Sequence, residues 1–255
     1  MQRALGLLAP LALIAVLLLA WEGACRALDV PRYILPPPSA IWSALLEQGP
    51  DLFASAWNTL VMALQALAAA VVVAWSLALL AALSPTLERA LAPVAATVQV
   101  TPVVAIAPLV VIWTGLDHPD RAIVILATVV AFFPLFSGAL TGLKAADPDL
   151  ERLFDLYRAT RLQRLVRLRL PAATPYLLEG LKVAGGLALI GAVVAEFVAG
   201  SGGAQGLAWR ILEASHRLRT AEMFAAVLAL ALLGVALYAG LGAAEQRILR
   251  RWRGR

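Results

Sequence analysis

The chain has 255 residues, is 62% hydrophobic, carries a formal net charge of +5 and has a mean hydropathy of +0.84. That apolar content is far above a soluble globular domain and reads as an integral membrane protein. The basic balance does not point to nucleic acid, because the arginines stand in short segments beside apolar spans, and the single cysteine, Cys25, excludes an intrachain disulfide and a multi-cysteine metal site.

The first apolar run, Ala4–Ala24, is long for a signal-peptide core, and Glu22 stands where a lipoprotein signal requires an aliphatic residue, so it reads as an uncleaved membrane helix. Runs of roughly 20 apolar residues cross a bilayer core as helices. Five more follow: Thr59–Leu83, Ala90–Leu116, Ala122–Leu143, Tyr176–Ala199 and Met223–Ala244. The expected fold is therefore an all-α polytopic membrane protein with six transmembrane helices. Pro102 and Pro108 predict a kink or break in the third span, and Pro134 lies in the fourth.

Between the first two spans, Tyr33-Ile34-Leu35-Pro36-Pro37-Pro38 predicts an extended polyproline spacer before a short helix around Ser39–Glu47. Asp117 and His118, in the short loop 115–121, read as a hydrophilic turn. In the loop 200–222, a Gly-Ser-Gly-Gly start precedes an amphipathic helix with Leu207, Ile211 and Leu212 on its apolar face and Arg210, Arg217 and Arg219 toward water. His216 there has no ligand partner, so no metal site is expected.

Lysine and arginine counting orients the spans. With the N-terminus inside, fourteen basic residues fall on inside segments and six on outside segments, with Lys182 left in the fifth span. Both termini and the long loop before the fifth span are then cytoplasmic.

That loop holds the only long charged stretch, Asp147–Pro175, with six arginines. Leu150, Leu153, Phe154 and Tyr157 recur at i, i+3, i+4 and i+7, one apolar face of a short helix. A second short helix fits Leu162, Leu165 and Val166 and is expected to stop at Leu170–Pro171. An apolar face in such a loop needs a cover, either anionic lipid headgroups or a soluble partner.

Charged groups within spans cost on the order of 3 kcal/mol on insertion scales. Glu179 and Lys182 sit within a turn of the cytoplasmic boundary and are expected to pair or snorkel. Glu196 either caps backbone donors of residues 200–203 or holds a gate at the outer mouth. Gln99 and Thr101, beside Pro102, either bond to a neighbouring helix or line a solute pathway. No catalytic constellation is visible: GxxxxGK[ST], HExxH and GxSxG are all missing. A channel or secondary transporter would show inverted repeats with paired broken helices, but only the third span is clearly broken and no internal repeat is visible.

The central loop resembles the Glu-Ala-Ala loop of permease subunits of bacterial ATP-binding-cassette importers. That motif is Glu-Ala-Ala, three residues, Gly, nine residues, Ile, one residue and Leu-Pro. Leu168, Leu170 and Pro171 fall on its Ile, Leu and Pro, Arg158 on its glycine, and Arg152, Leu153 and Phe154 on its namesake residues. The stretches ILPPP, TPVVAIAPLVVIWTGLD and ATPYLLEGLKVAGGLALIGAVVAEF, with Ala195-Glu196, are similar to the branch importing sulfonates, taurine, nitrate or thiamine-precursor pyrimidines. The resemblance implies a single permease domain over residues 1–255, in the bacterial inner membrane, working as a dimer, with a coupling-helix loop at 144–175. It implies two copies of an ATP-binding subunit that carry ATP and magnesium, a substrate-binding protein outside, and no cofactor or enzymatic activity in this chain. Leu150, Leu153, Phe154, Asp155, Tyr157, Arg158, Ala159, Thr160, Arg161, Leu170 and Pro171 would then make the coupling surface. Arginine at the glycine position disfavours positive φ, which predicts a longer helix or a turn without a left-handed residue.

Overall fold

The computed structural model describes residues 2–115, 117–199 and 205–253, with side chains from residue 12 to residue 251. Every regular element among them is helical: α1 (Gln2–Ala27), α2 (Pro38–Glu47), α3 (Gly49–Leu83), α4 (Pro85–Val100), α5 (Val103–Thr114), α6 (Pro119–Lys144), α7 (Pro148–Leu156), α8 (Arg161–Arg164), α9 (Leu170–Ala199), α10 (Leu207–His216) and α11 (Thr220–Arg253). Four helices among the described residues are long and apolar enough to cross a membrane: 49–83, 119–144, 161–199 and 220–251. A fifth candidate is the pair α4 and α5, bent by 97°. The break falls at Thr101–Pro102, as the proline predicted. Thr101 is extended (φ −69°, ψ 123°), the conformation that a following proline ring imposes.

Packing divides the chain into two compact units, Met1–Trp57 with Gln205–Ala231, and Asn58–Ala204 with Leu232–Arg255. In the first, Glu22 at the end of α1 accepts from the backbone N–H of Ser39 (3.0 Å) and from its hydroxyl (2.8 Å), so it caps the start of α2. The expected polyproline spacer is shorter than predicted. A turn closed by Ile34 N–H donating to Pro31 O (2.9 Å) replaces its first part, and Pro37 keeps the extended geometry (φ −67°, ψ 151°). In α10, Leu207 is buried. Arg210 is not turned wholly to water: its Nε donates to Ser55 Oγ at 3.1 Å.

The second unit is organised by α6 and α9, which run antiparallel at very short range through small residues. A Cβ placed on Gly142 would lie 2.8 Å from Tyr176 Cβ and 3.0 Å from Ala173 Cα, and one on Gly191 would lie 2.9 Å from Ala127 Cα. Gly138 and Gly180 face each other, and a Cβ placed on them would lie 3.3 Å from Tyr176 O and 3.2 Å from Pro134 O on the opposite helix. Ala70, Ala74, Ala131, Leu135, Ala173, Ala184 and Ala188 are buried in the same core. Alanine and glycine let the backbones approach, so dispersion contacts stand in for the hydrophobic drive that lipid cannot supply.

Lys182 does not take Glu179 as its partner. Its ammonium donates to Glu245 Oε2 at 2.8 Å and lies 5.8 Å from the Tyr238 ring. The i, i+3 spacing on one helix suggested a local partner, but α11 brings a carboxylate to the ammonium instead.

A valine at Gly142 is expected to destabilise the purified protein by about 1–3 kcal/mol through overpacking against Tyr176 and Ala173. Gly186→Ala, which meets nothing within 4 Å, is expected to be neutral or stabilising. Thermal-aggregation midpoints in detergent check both, and equal midpoints for the two variants would contradict the seam.

Candidate functional site

The loop between α6 and α9 is a built structure. Asp147 accepts from the backbone N–H of Asp149 at 2.8 Å and starts α7, and Asp149 and Glu151 in its first turn suit the positive end of the helix dipole. α7 ends in a reversal in which Arg158 N–H donates to Asp155 O (2.9 Å) and Ala159 N–H to Phe154 O (3.0 Å). That pair of bonds is the Schellman motif, and it places the residue after the helix cap in the left-handed region. Here that residue is Arg158, at φ +50°. The expectation that arginine would avoid positive φ is therefore wrong. The two backbone bonds fix the turn, and the side chain bears the strain of a conformation that glycine adopts freely.

Thr160 then starts the next helix with a reciprocal box, its N–H donating to Gln163 Oε1 (2.9 Å) and its hydroxyl accepting from Gln163 N–H (3.2 Å). The second expectation for this region also needs correction, since Leu170–Pro171 does not end the helix. Residues 161–199 run on as one helix, and Leu165–Arg169 takes π-helical geometry in which Leu170 N–H donates to Leu165 O, five residues back. Pro171 has no N–H to give, and the wider turn moves the preceding carbonyls out of register with its ring. Leu165 and Leu168 are buried there, whereas Leu162 and Val166 are exposed.

Ion pairs clamp α7 against the base of this long helix. Glu151 accepts from Arg169 Nε at 2.7 Å and meets Arg164 at 3.1 Å. Arg164 also pairs with Asp155, one helical turn from Glu151. Lys144 at the end of α6 pairs with Glu88 of α4. With Glu151 turned toward the long helix, the apolar residues of α7 are left uncovered. Leu150 and Leu153 are 45% and 43% exposed, and Leu156 and Tyr157 are 81% and 80% exposed. Phe154 is half-buried, and Ala159 and Thr160 belong to the turn and the box. Leu156 is off the i, i+3, i+4, i+7 stripe and was missed for that reason. The clamp was missed because Glu151 and Arg169 are 18 residues apart.

The three polar residues proposed from the spans lie at different places along the helices. Gln99 lines a cavity of about 300 Å³ at the α4–α5 break, with Val103, Val129, Val130, Pro134 and Leu187. The Thr101 hydroxyl donates back to Thr97 O at 2.8 Å and finishes α4. Glu196 is fully buried in α9, nine residues beyond Leu187, about 13 Å along the axis. The residues 200–203 proposed as its partners lie outside the described residues.

A charged, clamped loop with an uncovered apolar edge, set between long apolar helices, is the arrangement on which a sequence comparison bears. Residues 70–254 match the binding-protein-dependent transport system inner membrane component family. The chain belongs to that family. It is 32% identical to a formylaminopyrimidine transport permease protein of Halalkalibacterium halodurans, over 99% of both chains. It is 32% identical to a probable ABC transporter permease protein of Haemophilus influenzae, over 91% of this chain and 93% of that one. A taurine transport system permease protein of Escherichia coli is 31% identical over 94% and 88%. Membership makes the chain a multi-pass permease component of ABC importers, a transport subunit and not an ATPase. The family works with an ATP-binding subunit and a substrate-binding protein.

Arg158→Gly is expected to stabilise the α7 turn by about 1 kcal/mol, whereas Arg158→Ala, which keeps a Cβ at positive φ, is not. Hydrogen exchange at residues 157–160 reads this as about five-fold slower opening for the glycine variant alone. Glu151→Gln removes the carboxylate that two arginines share, and exchange across 148–156 is expected to quicken by about ten-fold while the α6–α9 amides stay protected. Unchanged exchange across 148–156 would show that the clamp does not hold the helix.

Proposed function

We propose that the chain is the transmembrane subunit of an ATP-driven importer that carries a small polar or anionic solute of the sulfonate, taurine, nitrate or pyrimidine type. Six spans, α1 and the bent α4–α5 pair included, make a single permease domain over residues 1–255 with both termini cytoplasmic. Two copies form the solute pathway, with Gln99, Thr101 and Glu196 among its residues. A substrate-binding protein delivers the solute from outside, and two ATP-binding subunits grip the cytoplasmic loops. The names of the relatives support this solute class, and the excess of basic residues on the inside segments supports the orientation.

The observation that carries the docking is the exposed edge Leu150, Leu153, Leu156 and Tyr157 on a helix held rigid from its other side. A partner that covers it buries leucine and tyrosine side chains, and an aromatic anchor amid leucines is the composition of an interface centre. Leu153, Phe154, Asp155, Tyr157, Arg158, Ala159, Thr160 and Arg161 present the coupling surface, and Leu170 and Pro171 root it in the fifth span. The seam between α6 and α9 passes a push on the loop into the spans. Coupling is then an equilibrium between inward and outward access that ATP and the loaded binding protein both bias.

The test is co-purification. In Leu153→Asp/Tyr157→Asp, both changes are at exposed positions, so the spans fold and helicity by circular dichroism is unchanged. The ATP-binding subunit retained on the tagged permease is expected to fall at least about ten-fold, and ATP-dependent uptake with it. A double variant that keeps both the subunit and the uptake rules the docking surface out.

A further inference from the structure

At the end of the second unit where α3 ends and α4 begins, a cavity of about 580 Å³ opens between that turn and the root of the long helix. Leu83, Ser84 and Pro85 line one wall, and Arg161, Arg164 and Arg169 line the other. The cations do not cancel. Arg164 and Arg169 are matched by Glu151 and Asp155, and Lys144 and Glu88 nearby satisfy each other, but Arg161 makes no ion pair among the described residues. A guanidinium fork without a carboxylate, beside two more held in fixed positions by theirs, suits the oxygens of a phosphate group. The volume is that of a drug-sized ligand, several times what a lone phosphate needs. The apolar part of the lining is where the candidate span 49–83 ends, and the end of a span is where lipid headgroups meet hydrocarbon.

We propose that this cavity binds a phosphate-class anion, the headgroup of an anionic phospholipid, with Arg161 as its recognition cation. The ligand bridges the α3–α4 turn and the start of the long helix, two segments that no ion pair or side-chain hydrogen bond joins directly among the described residues. It therefore fixes the root of the loop to the spans. The site is separate from the solute pathway, but it shares Ala159 and Arg161 with the coupling surface proposed above, so lipid and ATP-binding subunit would meet at the root of the loop.

The full-length permease is purified and examined by native mass spectrometry after incubation with phosphatidylglycerol, phosphatidylcholine or inorganic phosphate. A one-to-one phosphatidylglycerol adduct is expected, retained at least about ten-fold better than phosphatidylcholine, in line with bidentate phosphate recognition. It is expected to weaken about ten-fold in Arg161→Gln, to weaken less in Arg161→Lys, which keeps the charge and loses the fork, and to be unaffected in Arg152→Gln, an exposed arginine outside the cavity. Retention of inorganic phosphate that competes with the lipid and is lost in Arg161→Gln assigns the site to a free anion and overturns the lipid reading. No preference for anionic lipid, or a preference that Arg161→Gln leaves intact, overturns the site itself. The lysine and Arg152 variants guard against a loss of fold being read as a loss of ligand.

Discussion

Everything in the second unit depends on how closely α6 and α9 approach. In lipid, two apolar helices gain nothing by hiding leucines from hydrocarbon, so their association rests on atomic contact and backbone proximity. Gly138, Gly142, Gly180 and Gly191 supply that proximity, and at Gly142 and Gly191 a single added carbon would fall within about 3 Å of the opposite helix. Close approach also makes the pair stiff, because interdigitated backbones cannot slide without clashing. The loop between the two helices thus has its ends fixed by a rigid seam.

A loop with fixed ends can transmit force only if it is itself ordered, and here the ordering is electrostatic and local. Glu151 holds two arginines at the base of the long helix, and a threonine–glutamine box and a Schellman turn close the remaining backbone donors. Partly exposed ion pairs such as these contribute modestly one at a time. Their arrangement matters more than their sum: two carboxylates one turn apart set which side of α7 faces the protein, and so leave Leu150, Leu153, Leu156 and Tyr157 facing away. The uncovered apolar edge follows from the charges on the opposite side.

Much of this was legible in the sequence, and the rest was not for identifiable reasons. Hydropathy runs gave the long helices, because one turn of apolar residues after another has no other use at that length. Pro102 gave the break in the third span, because a proline acts through its own ring and its predecessor. The stripe 150, 153, 154, 157 gave the face of α7. The GxxxG spacing at Gly138 and Gly142 was present in the sequence but was not used, although small residues four apart in an apolar run are a packing signal. Lys182 with Glu245 and Glu151 with Arg169 are pairings across 63 and 18 residues, and no local pattern announces them. Pro171 misled in the opposite direction. Its effect on a helix is normally to stop it, and only the π-helical turn before it allows the long helix to continue.

Arg158 shows why a motif's residue and a motif's geometry are separate constraints. The turn after α7 requires a left-handed residue because two backbone bonds, to Asp155 O and Phe154 O, close around it. Glycine meets that requirement at no steric cost, and arginine meets it at a cost of about 1 kcal/mol. A sequence that keeps the backbone geometry while giving up the residue suited to it therefore tolerates strain at an exposed position. Such strain persists only where the surroundings over-determine the conformation. Here they do so on both sides, with the clamp of Glu151 and Asp155 fixing the helix before the turn and the Thr160–Gln163 box fixing the helix after it. The same rigidity that orders the loop thus allows an arginine to occupy its bend.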